Sequence, residues 1–246
     1  MLHPEPGGAN GASHPSLPAD ASAADQQLPL TATDERSPQD VASPPDALEQ
    51  ARALLAAGET SAAGAAIRAL IAREPKNAQA RAALAELLER RGDLDGAVAE
   101  LSHAVGVAPD DIAILSARAN LYMLRGKFDL AEADLRRAVR VGNRDADVQL
   151  QLGMLFCKGA RWREAVEPLR AAVASDPGSV AAHYYLGEAY NSTDDLPNAL
   201  GAYRAAVALE PTHQRALKAI GIVLDRMGRP DEAAAAYQRA REAQRR

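Results

Sequence analysis

Side chains that could perform nucleophilic or metal chemistry are few and scattered in this sequence. They are the single cysteine and the five histidines, namely Cys157, His3, His14, His103, His183 and His213. No HExxH pair is present, and no histidine lies at a spacing from Cys157 that indicates a nucleophile and its base. Nor does the sequence contain a glycine-rich phosphate loop. We therefore expect a protein that is not an enzyme, with no catalytic residues, no metal site and no cofactor.

The elements that must position the remaining polar residues are predicted to be helices. The chain has 246 residues, of which 47% are apolar and 4% aromatic. Alanine contributes 56 residues, about half of the apolar set. Because alanine favours helices and is depleted in strands, the composition predicts an all-α fold with short core side chains. The alanine- and arginine-rich composition is also typical of a GC-rich bacterial source.

Charge divides the chain into two parts. Residues 1–43 carry six acids and one base, which accounts for the whole net charge of −5 and leaves residues 44–246 neutral. This segment is rich in proline, serine and alanine, so we expect a disordered acidic tail. It could be a plain spacer or a tether that binds a partner. A neutral body argues against nucleic-acid binding, which depends on clustered lysines and arginines.

A 34-residue repeat begins at residue 44. One column of the repeat contains only alanine, at Ala63, Ala97, Ala131, Ala165, Ala199 and Ala233. Large apolar residues follow four positions later, and a proline follows eight positions after those in four of the repeats; Asn143 takes that place once. Upstream, a second small-residue column runs from Ala51 to Gly221. These spacings predict two amphipathic helices in each repeat.

Glycines mark the predicted turn between the two helices of each repeat. Gly58, Gly92, Gly126 and Gly228 supply a left-handed residue, Gly159 is predicted to do so one position early, and Asp194 takes the place in the fifth repeat. A further departure is Arg118, which stands in a column that is otherwise mostly leucine or isoleucine.

The pattern resembles the tetratricopeptide repeat family, in which W-x₂-L-G-x₂-Y is followed by A-x₃-F and then P. Leu186-Gly187 with Tyr190, Ala199, Tyr203 and Pro211 carry the resemblance best. The resemblance implies a right-handed α-solenoid of six stacked helix-turn-helix repeats after the tail. We number these repeats as units 1 to 6, at about 44–77, 78–111, 112–145, 146–179, 180–213 and 214–246.

In this family the first helices of the units line a concave groove that binds peptides or partner helices. By this resemblance the partner-binding residues are Asn120, Met123, Leu150, Met154, Cys157, Tyr184, Glu188, Asn191, Lys218 and Asp225. We interpret them as a groove for an apolar or amphipathic segment across units 3 to 5. The alternative is that Met123 and Met154 pack between units and that the charges form a solvated face. A chaperone-type carboxylate clamp is not expected, because its positions hold residues such as Ala82 and Ala117.

The expected function is therefore a non-catalytic scaffold for protein–protein interaction, such as an assembly or localisation factor. A chaperone of the secretion type, which shields an apolar segment of its client, is the alternative. The partners are expected to be other proteins, with no nucleic acid and no membrane span. No secretory signal is recognisable, so a cytoplasmic location is expected. The array ends without the extra polar helix that caps many such arrays. Either the charged last helix is enough to cover the end, or the chain oligomerises through it.

Overall fold

Twelve α-helices follow one another in six antiparallel pairs in the part of the chain that the structure describes. The computed structural model describes residues 44–142 and 145–245. The predicted tail at residues 1–43, the proline-column exception Asn143 and the last residue, Arg246, lie outside the described residues. The helices are α1 (Pro44–Ala56), α2 (Thr60–Arg73), α3 (Ala78–Arg90), α4 (Leu94–Val107), α5 (Ile112–Leu124), α6 (Phe128–Val141), α7 (Ala146–Lys158), α8 (Trp162–Ser175), α9 (Val180–Ser192), α10 (Leu196–Leu209), α11 (Gln214–Arg226) and α12 (Pro230–Gln244).

The prediction of an all-α fold built from six helix pairs is confirmed for the described residues, among which no strand occurs. The first helices begin at positions 44, 78, 112, 146, 180 and 214, so each start lies one full repeat after the last. The second helices begin at positions 60, 94, 128, 162, 196 and 230, which is the same offset in every unit. Each unit therefore places the same repeat position at the same point of the stack.

The first helix of each unit from α3 onward begins at a side-chain cap. A side-chain oxygen or nitrogen of Asn77, Asp111, Asp145, Ser179 and His213 accepts a hydrogen bond from a backbone N–H two or three residues later. Such caps satisfy one of the four N–H groups that a helix start leaves without a partner. His213 therefore has a structural role at the start of α11.

The turn between the two helices has the same hydrogen bonding in all six units. An N–H of the turn donates to the carbonyl oxygen five residues earlier at 2.8–2.9 Å, for example Arg161 to Phe156. This bond needs a left-handed residue in between. Glycine supplies it with φ between +69° and +81° in four units, and Asp194 supplies it with φ +66° in unit 5, as predicted.

In unit 4 the prediction for this turn is wrong. Gly159 has a φ of −82°, and the left-handed residue is Ala160, with φ +55°. Ala160 stands one full repeat after Gly126, so the left-handed conformation falls at the position that the common hydrogen bond requires and not at the nearest glycine. The packing of the repeat sets the turn, and alanine adopts a conformation that L-residues disfavour.

The small-residue column of the first helix allows close packing with the second helix. In unit 5 a Cβ atom built on Gly187 would lie 2.6 Å from two ring carbons of Tyr203, whose side chain is fully buried. Gly153 and Leu169, and Gly221 and Tyr237, repeat this contact. The separation along the chain is the same in all three pairs, and it equals the offset between the starts of the two helices. Glycine here makes room for a large side chain.

Buried side chains form three clusters along the stack. The largest draws on helices from α3 to α10 and includes Leu115, Leu135 and Leu155. A second lies among α9 to α12 around Tyr203. The third and smallest is confined to α1, α2 and α3. Because neighbouring clusters share helices, the core runs along the whole stack, and its smallest cluster lies at the first unit.

Candidate functional site

The inner surface of the array is formed by the first helices. Helix α5 contacts α7, and α7 contacts α9, whereas no two second helices among the described residues are in comparable contact. In a curved stack, equivalent elements approach each other most closely on the inside. The first helices of units 3 to 5 therefore lie side by side on one surface, which we call the groove.

The predicted groove residues differ in exposure. Lys218 and Asp225 are exposed. The half-buried ones are Asn120, Leu150, Met154, Glu188 and Asn191. Met123, Cys157 and Tyr184 are buried, with 8%, 8% and 6% of their surface exposed. Met123 and Cys157 belong to the largest core cluster, as the packing interpretation of Met123 expects.

Tyr184 is enclosed by side chains of its own unit and the next one. The ring of Tyr203 lies 5.9 Å from its ring centre and the ring of His213 lies 5.2 Å away. The guanidinium of Arg215 lies 4.8 Å from the centre of the Tyr184 ring, within the range of a cation–π contact. Burial raises the pKa of Tyr184 to about 12. Tyr184 therefore supports the wall of the groove more than it offers an open surface.

Glu188 joins this group through a charge-assisted hydrogen bond. The hydroxyl of Tyr203 donates to Glu188 Oε1 at 2.6 Å. Burial and this hydrogen bond both raise the pKa of Tyr203. Burial, together with the charge of Glu188, raises the pKa of Cys157 to about 12. The structure thus brings together three predicted residues, Cys157, Tyr184 and Glu188, and the thiol stays protonated at neutral pH.

Two other predicted residues have partners within the array. Arg226 donates to the backbone oxygen and the side-chain oxygen of Asn191, and also to Asp194 at 2.7 Å. Tyr237 donates to Asp225 at 2.7 Å. Asn120, in contrast, has no side-chain hydrogen bond to any described residue. Its amide is available to a ligand, whereas binding through Asn191 or Asp225 would have to compete with an existing bond.

A cavity of about 320 Å³ on units 1 to 3 was missed by the sequence reasoning, which placed the site further along the chain. Its floor is apolar and rich in alanine, and its rim is charged or polar. The lining includes Ala82, Ala113, Ala117, Leu101 and Ile114, with Arg52, Gln79, Glu86 and Glu89 at the rim. The signal in the sequence is Ala82 in α3, because units 4 to 6 carry the larger Leu150, Tyr184 and Lys218 at the same position.

Two of the histidines, His183 and His213, contact backbone groups of the array. His183 Nε2 lies 3.0 Å from the carbonyl oxygen of Pro177, and His213 caps α11. Within residues 44–142 and 145–245, no three His, Cys, Asp or Glu side chains are grouped in a way that could hold a metal ion. None of the described helices combines the length and the apolar character that a membrane crossing needs.

Comparison with known proteins extends these observations. Models of the tetratricopeptide repeat match residues 54–121, 150–214 and 192–246, which together make up more than half of the chain. No match was found among curated proteins.

Three solved structures illustrate the likeness of the fold. A crystal structure of MamA is 25% identical, covers 66% of this chain and 95% of its own, and has a TM-score of 0.63. YrrB, described as a TPR protein with an unusual peptide-binding site, is 20% identical over 72% of this chain and 92% of its own, with a TM-score of 0.64. PilF of Pseudomonas aeruginosa is 16% identical over 78% and 88%, with a TM-score of 0.70. With its repeat signature, its helix pairs and these matches, the chain belongs to the tetratricopeptide repeat family.

Proposed function

We propose that this protein is a non-catalytic scaffold that binds a peptide or helix of a partner protein in the groove across units 3 to 5. The observation that carries the proposal is the continuous inner surface formed by α5, α7 and α9. Such a surface can hold an extended or helical segment along several units at once. An assembly or localisation factor is the role that best fits a surface of this kind.

The chemistry of the accessible groove residues supports a partner with apolar side chains. Leu150 and Met154 are half-buried on α7 and present thioether and aliphatic groups that adapt to varied shapes. Asn120, on the neighbouring α5, has a free amide that can both donate to and accept from a bound backbone. This combination suits a segment whose side chains are apolar and whose backbone needs hydrogen bonds.

The cavity on units 1 to 3 adds a place for an anchoring side chain. Its alanine-rich floor can receive a large apolar group, and Glu89 on its rim, which forms no ion pair with a described residue, would favour a basic neighbour, whereas Glu86 is already paired with Arg90. Binding energy at protein interfaces is concentrated in a few side chains that enter such pockets. YrrB carries a peptide-binding site on the same fold, in agreement with this type of function.

A client-holding chaperone is less well supported than a scaffold. Holding an apolar segment of varied sequence requires a large continuous apolar surface. Met123, Cys157 and Tyr184, which would supply much of that surface, are buried. What remains exposed is small and mixed with polar groups, which favours a defined partner.

Site-specific photo-crosslinking tests the groove. A photoreactive phenylalanine analogue replaces Met154 in the groove, and a control variant carries it at Ala133, an exposed position on the second helix α6. We expect the variant with the analogue at position 154 to crosslink to a partner, and the variant with the analogue at position 133 to give no crosslink. Crosslinks of equal yield at both positions, or at position 133 alone, would contradict the proposal.

A further inference from the structure

Exposed apolar side chains cluster at one turn of the array, where α5 ends and α6 begins. Leu124, Phe128 and Leu130 expose 61%, 38% and 47% of their surface. We call these three residues the edge patch. They lie close together in the chain around the tight turn at Gly126, so they share the same edge of unit 3. Exposed large apolar groups that are close together mark interaction surfaces more often than scattered ones do.

The repeat itself does not require two residues of this patch, Leu124 and Leu130, whereas the position of Phe128 is apolar in units 2, 4 and 5 as well. At the position of Leu130 the other units have Ala62, Gly96, Glu164, Asn198 and Glu232. At the position of Leu124 they have alanine, serine, lysine or arginine. Packing of the stack is therefore possible with small or polar residues at both positions. Unit 3 alone places large apolar side chains there, and the array leaves them uncovered.

Three cations without carboxylate partners lie along this edge. Along this edge, arginines bridge neighbouring units: Arg125 pairs with Asp95 at 2.5 Å, and Arg161 pairs with Glu132 at 2.6 Å. Lys127, Lys158 and Arg163, in contrast, form no ion pair with any described residue. Two carboxylates along this edge, those of Asp93 and Asp129, likewise form no ion pair within the described ranges; Asp93 accepts a hydrogen bond from the backbone N–H of Gly96. The edge therefore has more unneutralised positive than negative charge.

The repeat geometry brings one of these lysines to the patch. At the next junction, the turn and first helical residues of unit 4, Ala160–Glu164, share a cavity of about 430 Å³ with Ser192, Thr193 and Asp194 of unit 5. Moving back by one repeat, we infer that Lys158 lies beside Phe128 and Leu130, whereas Arg163 lies one junction further along the same edge. The apolar side chains and the positive charge thus belong to one surface.

We propose that the edge patch, with Lys127, Lys158 and Arg163, is a second docking surface for a partner segment in which large apolar side chains alternate with carboxylates. The apolar residues of the segment cover Leu124, Phe128 and Leu130, and its carboxylates pair with the three free cations. A protein segment is favoured over an anionic membrane because residues 44–246 carry equal numbers of acids and bases. Membrane-surface helices depend on a marked basic excess.

This inference extends the proposed function, since it gives the same partner-binding array a second surface at the edge of the groove, where Leu124 and Lys158 lie one helical turn beyond Asn120 and Met154. The probe is a displayed library of random 12-residue peptides, selected on the full natural chain. Selected peptides are then measured by fluorescence anisotropy on four variants. The edge variant is L124S/F128S/L130S, the charge variant is K127E/K158E/R163E and the groove variant is L150S/M154S. The matched control, V107S/V141S/L209S, removes side chains of similar exposure (42%, 48% and 45%) at the ends of second helices.

We expect selected peptides to combine Leu, Ile or Phe with Asp or Glu. Their Kd should rise at least tenfold on the edge variant and at least fivefold on the charge variant, with less than a twofold change on the control. The charge variant keeps every apolar side chain, so it also serves as the decisive test if the serine variant has a lowered Tm.

Three results would overturn the inference. Peptides that lose affinity only for the groove variant would leave the proposed function standing and remove the edge site. A selection without any peptide that depends on the edge patch would do the same. Binding of the chain to phosphatidylserine-containing vesicles, lost in the edge variant while peptide binding is unchanged, would assign the patch to a membrane. Loss on both the edge variant and the charge variant, with the groove variant unchanged, supports this inference and counts against the groove.

Discussion

Arg118 donates two hydrogen bonds to Asp134 inside the third helix pair, from Nε to Oδ2 at 2.8 Å and from Nη2 to Oδ1 at 2.7 Å. Asp134 exposes 6% of its surface, and the side chain of Arg118 exposes 15%. The bond to Asp134 raises the pKa of Arg118, so the guanidinium stays charged. The pair joins α5 to α6. At the equivalent positions, units 5 and 6 have an aliphatic residue in the first helix and an alanine in the second.

Removing one member of this pair should be costly. In Asp134→Ala, the guanidinium of Arg118 loses its partner in a largely buried place, and we expect the free energy of unfolding to fall by about 3 kcal/mol. The double variant R118L/D134A copies the combination of Leu186 and Ala202 in unit 5. Because well-packed apolar residues can replace a buried ion pair, it should recover most of the loss. Urea denaturation of both variants measures this, and a double variant no more stable than Asp134→Ala would show that the pair has no apolar substitute here.

The sequence identified Arg118 as a departure from the repeat, but not its partner. Asp134 stands in a column that also holds Ala66, Glu100 and Pro168, so no regular pattern indicates a carboxylate there. The pairing depends on where two long side chains meet between helices. The helix pairs themselves were predictable, because a strict repeat spacing of small and large residues leaves little choice of which faces are buried.

The close contact of Gly187 with Tyr203 predicts opposite effects for two glycine-to-alanine changes. Gly187→Ala adds a methyl group at a place occupied by the tyrosine ring, so we expect a loss of about 1–3 kcal/mol. Gly201 lies inside α10 with no atom within 4 Å of the added methyl group. Gly201→Ala should therefore gain about 0.5–1 kcal/mol from helix propensity. Thermal unfolding compares the two, and shifts of Tm in the same direction would contradict the packing argument.

The turn of unit 4 predicts a stabilising substitution. Ala160 has φ +55°, a backbone conformation that is unfavourable for any residue with a Cβ atom. Ala160→Gly should raise the free energy of unfolding by about 0.5–1 kcal/mol, measured by chemical denaturation. Gly159→Ala is the control and should be nearly neutral, because Gly159 already has a φ of −82°.

Asp194→Gly provides a second comparison with Ala160→Gly. Asp194 has a similar φ of +66°, but its carboxylate accepts a hydrogen bond from Arg226. The backbone gain is therefore offset by the lost pair, and we expect a smaller gain than for Ala160→Gly. A larger gain for Asp194→Gly would mean that the ion pair contributes nothing to stability.

The thiol of Cys157 should be unreactive in the folded chain. Burial raises its pKa to about 12, whereas a thiol in an unfolded chain has a pKa near 8.5. At pH 8 we expect labelling by a thiol reagent to be slow in buffer and fast in urea. Rapid labelling in buffer would show that the inner surface opens at this point.

The same shift determines the sign of a pH effect. Above about pH 9 the unfolded chain releases the thiol proton while the folded chain keeps it, so stability falls as the pH rises towards 12. The natural chain should therefore lose more stability between pH 9 and pH 11 than Cys157→Ala does. Equal losses would assign the alkaline instability to other groups, such as Tyr184, whose pKa burial also raises.

The candidate site was only partly predictable. Helical spacing placed Met154 and Tyr184 on the same side of their helices, but it could not show that Tyr184 is covered. The cover comes from side chains of other helices, the rings of Tyr203 and His213 and the guanidinium of Arg215. Their orientation depends on packing between helices, which the pattern of one helix does not contain.

The division of the core into three clusters has a consequence for local opening. The smallest and the largest cluster share α3, and the largest and the second cluster share α9 and α10, so adjacent units stabilise one another. Helices α1 and α2, in contrast, contribute only to the smallest cluster. Opening in a repeat array proceeds from its least supported end. Amide hydrogen exchange should therefore be fastest in α1 and α2 and slowest in the middle of the array. The helices that carry the groove remain folded during such openings, so a segment held in the groove stays bound while the cavity on units 1 to 3 loses only Arg52 from its rim.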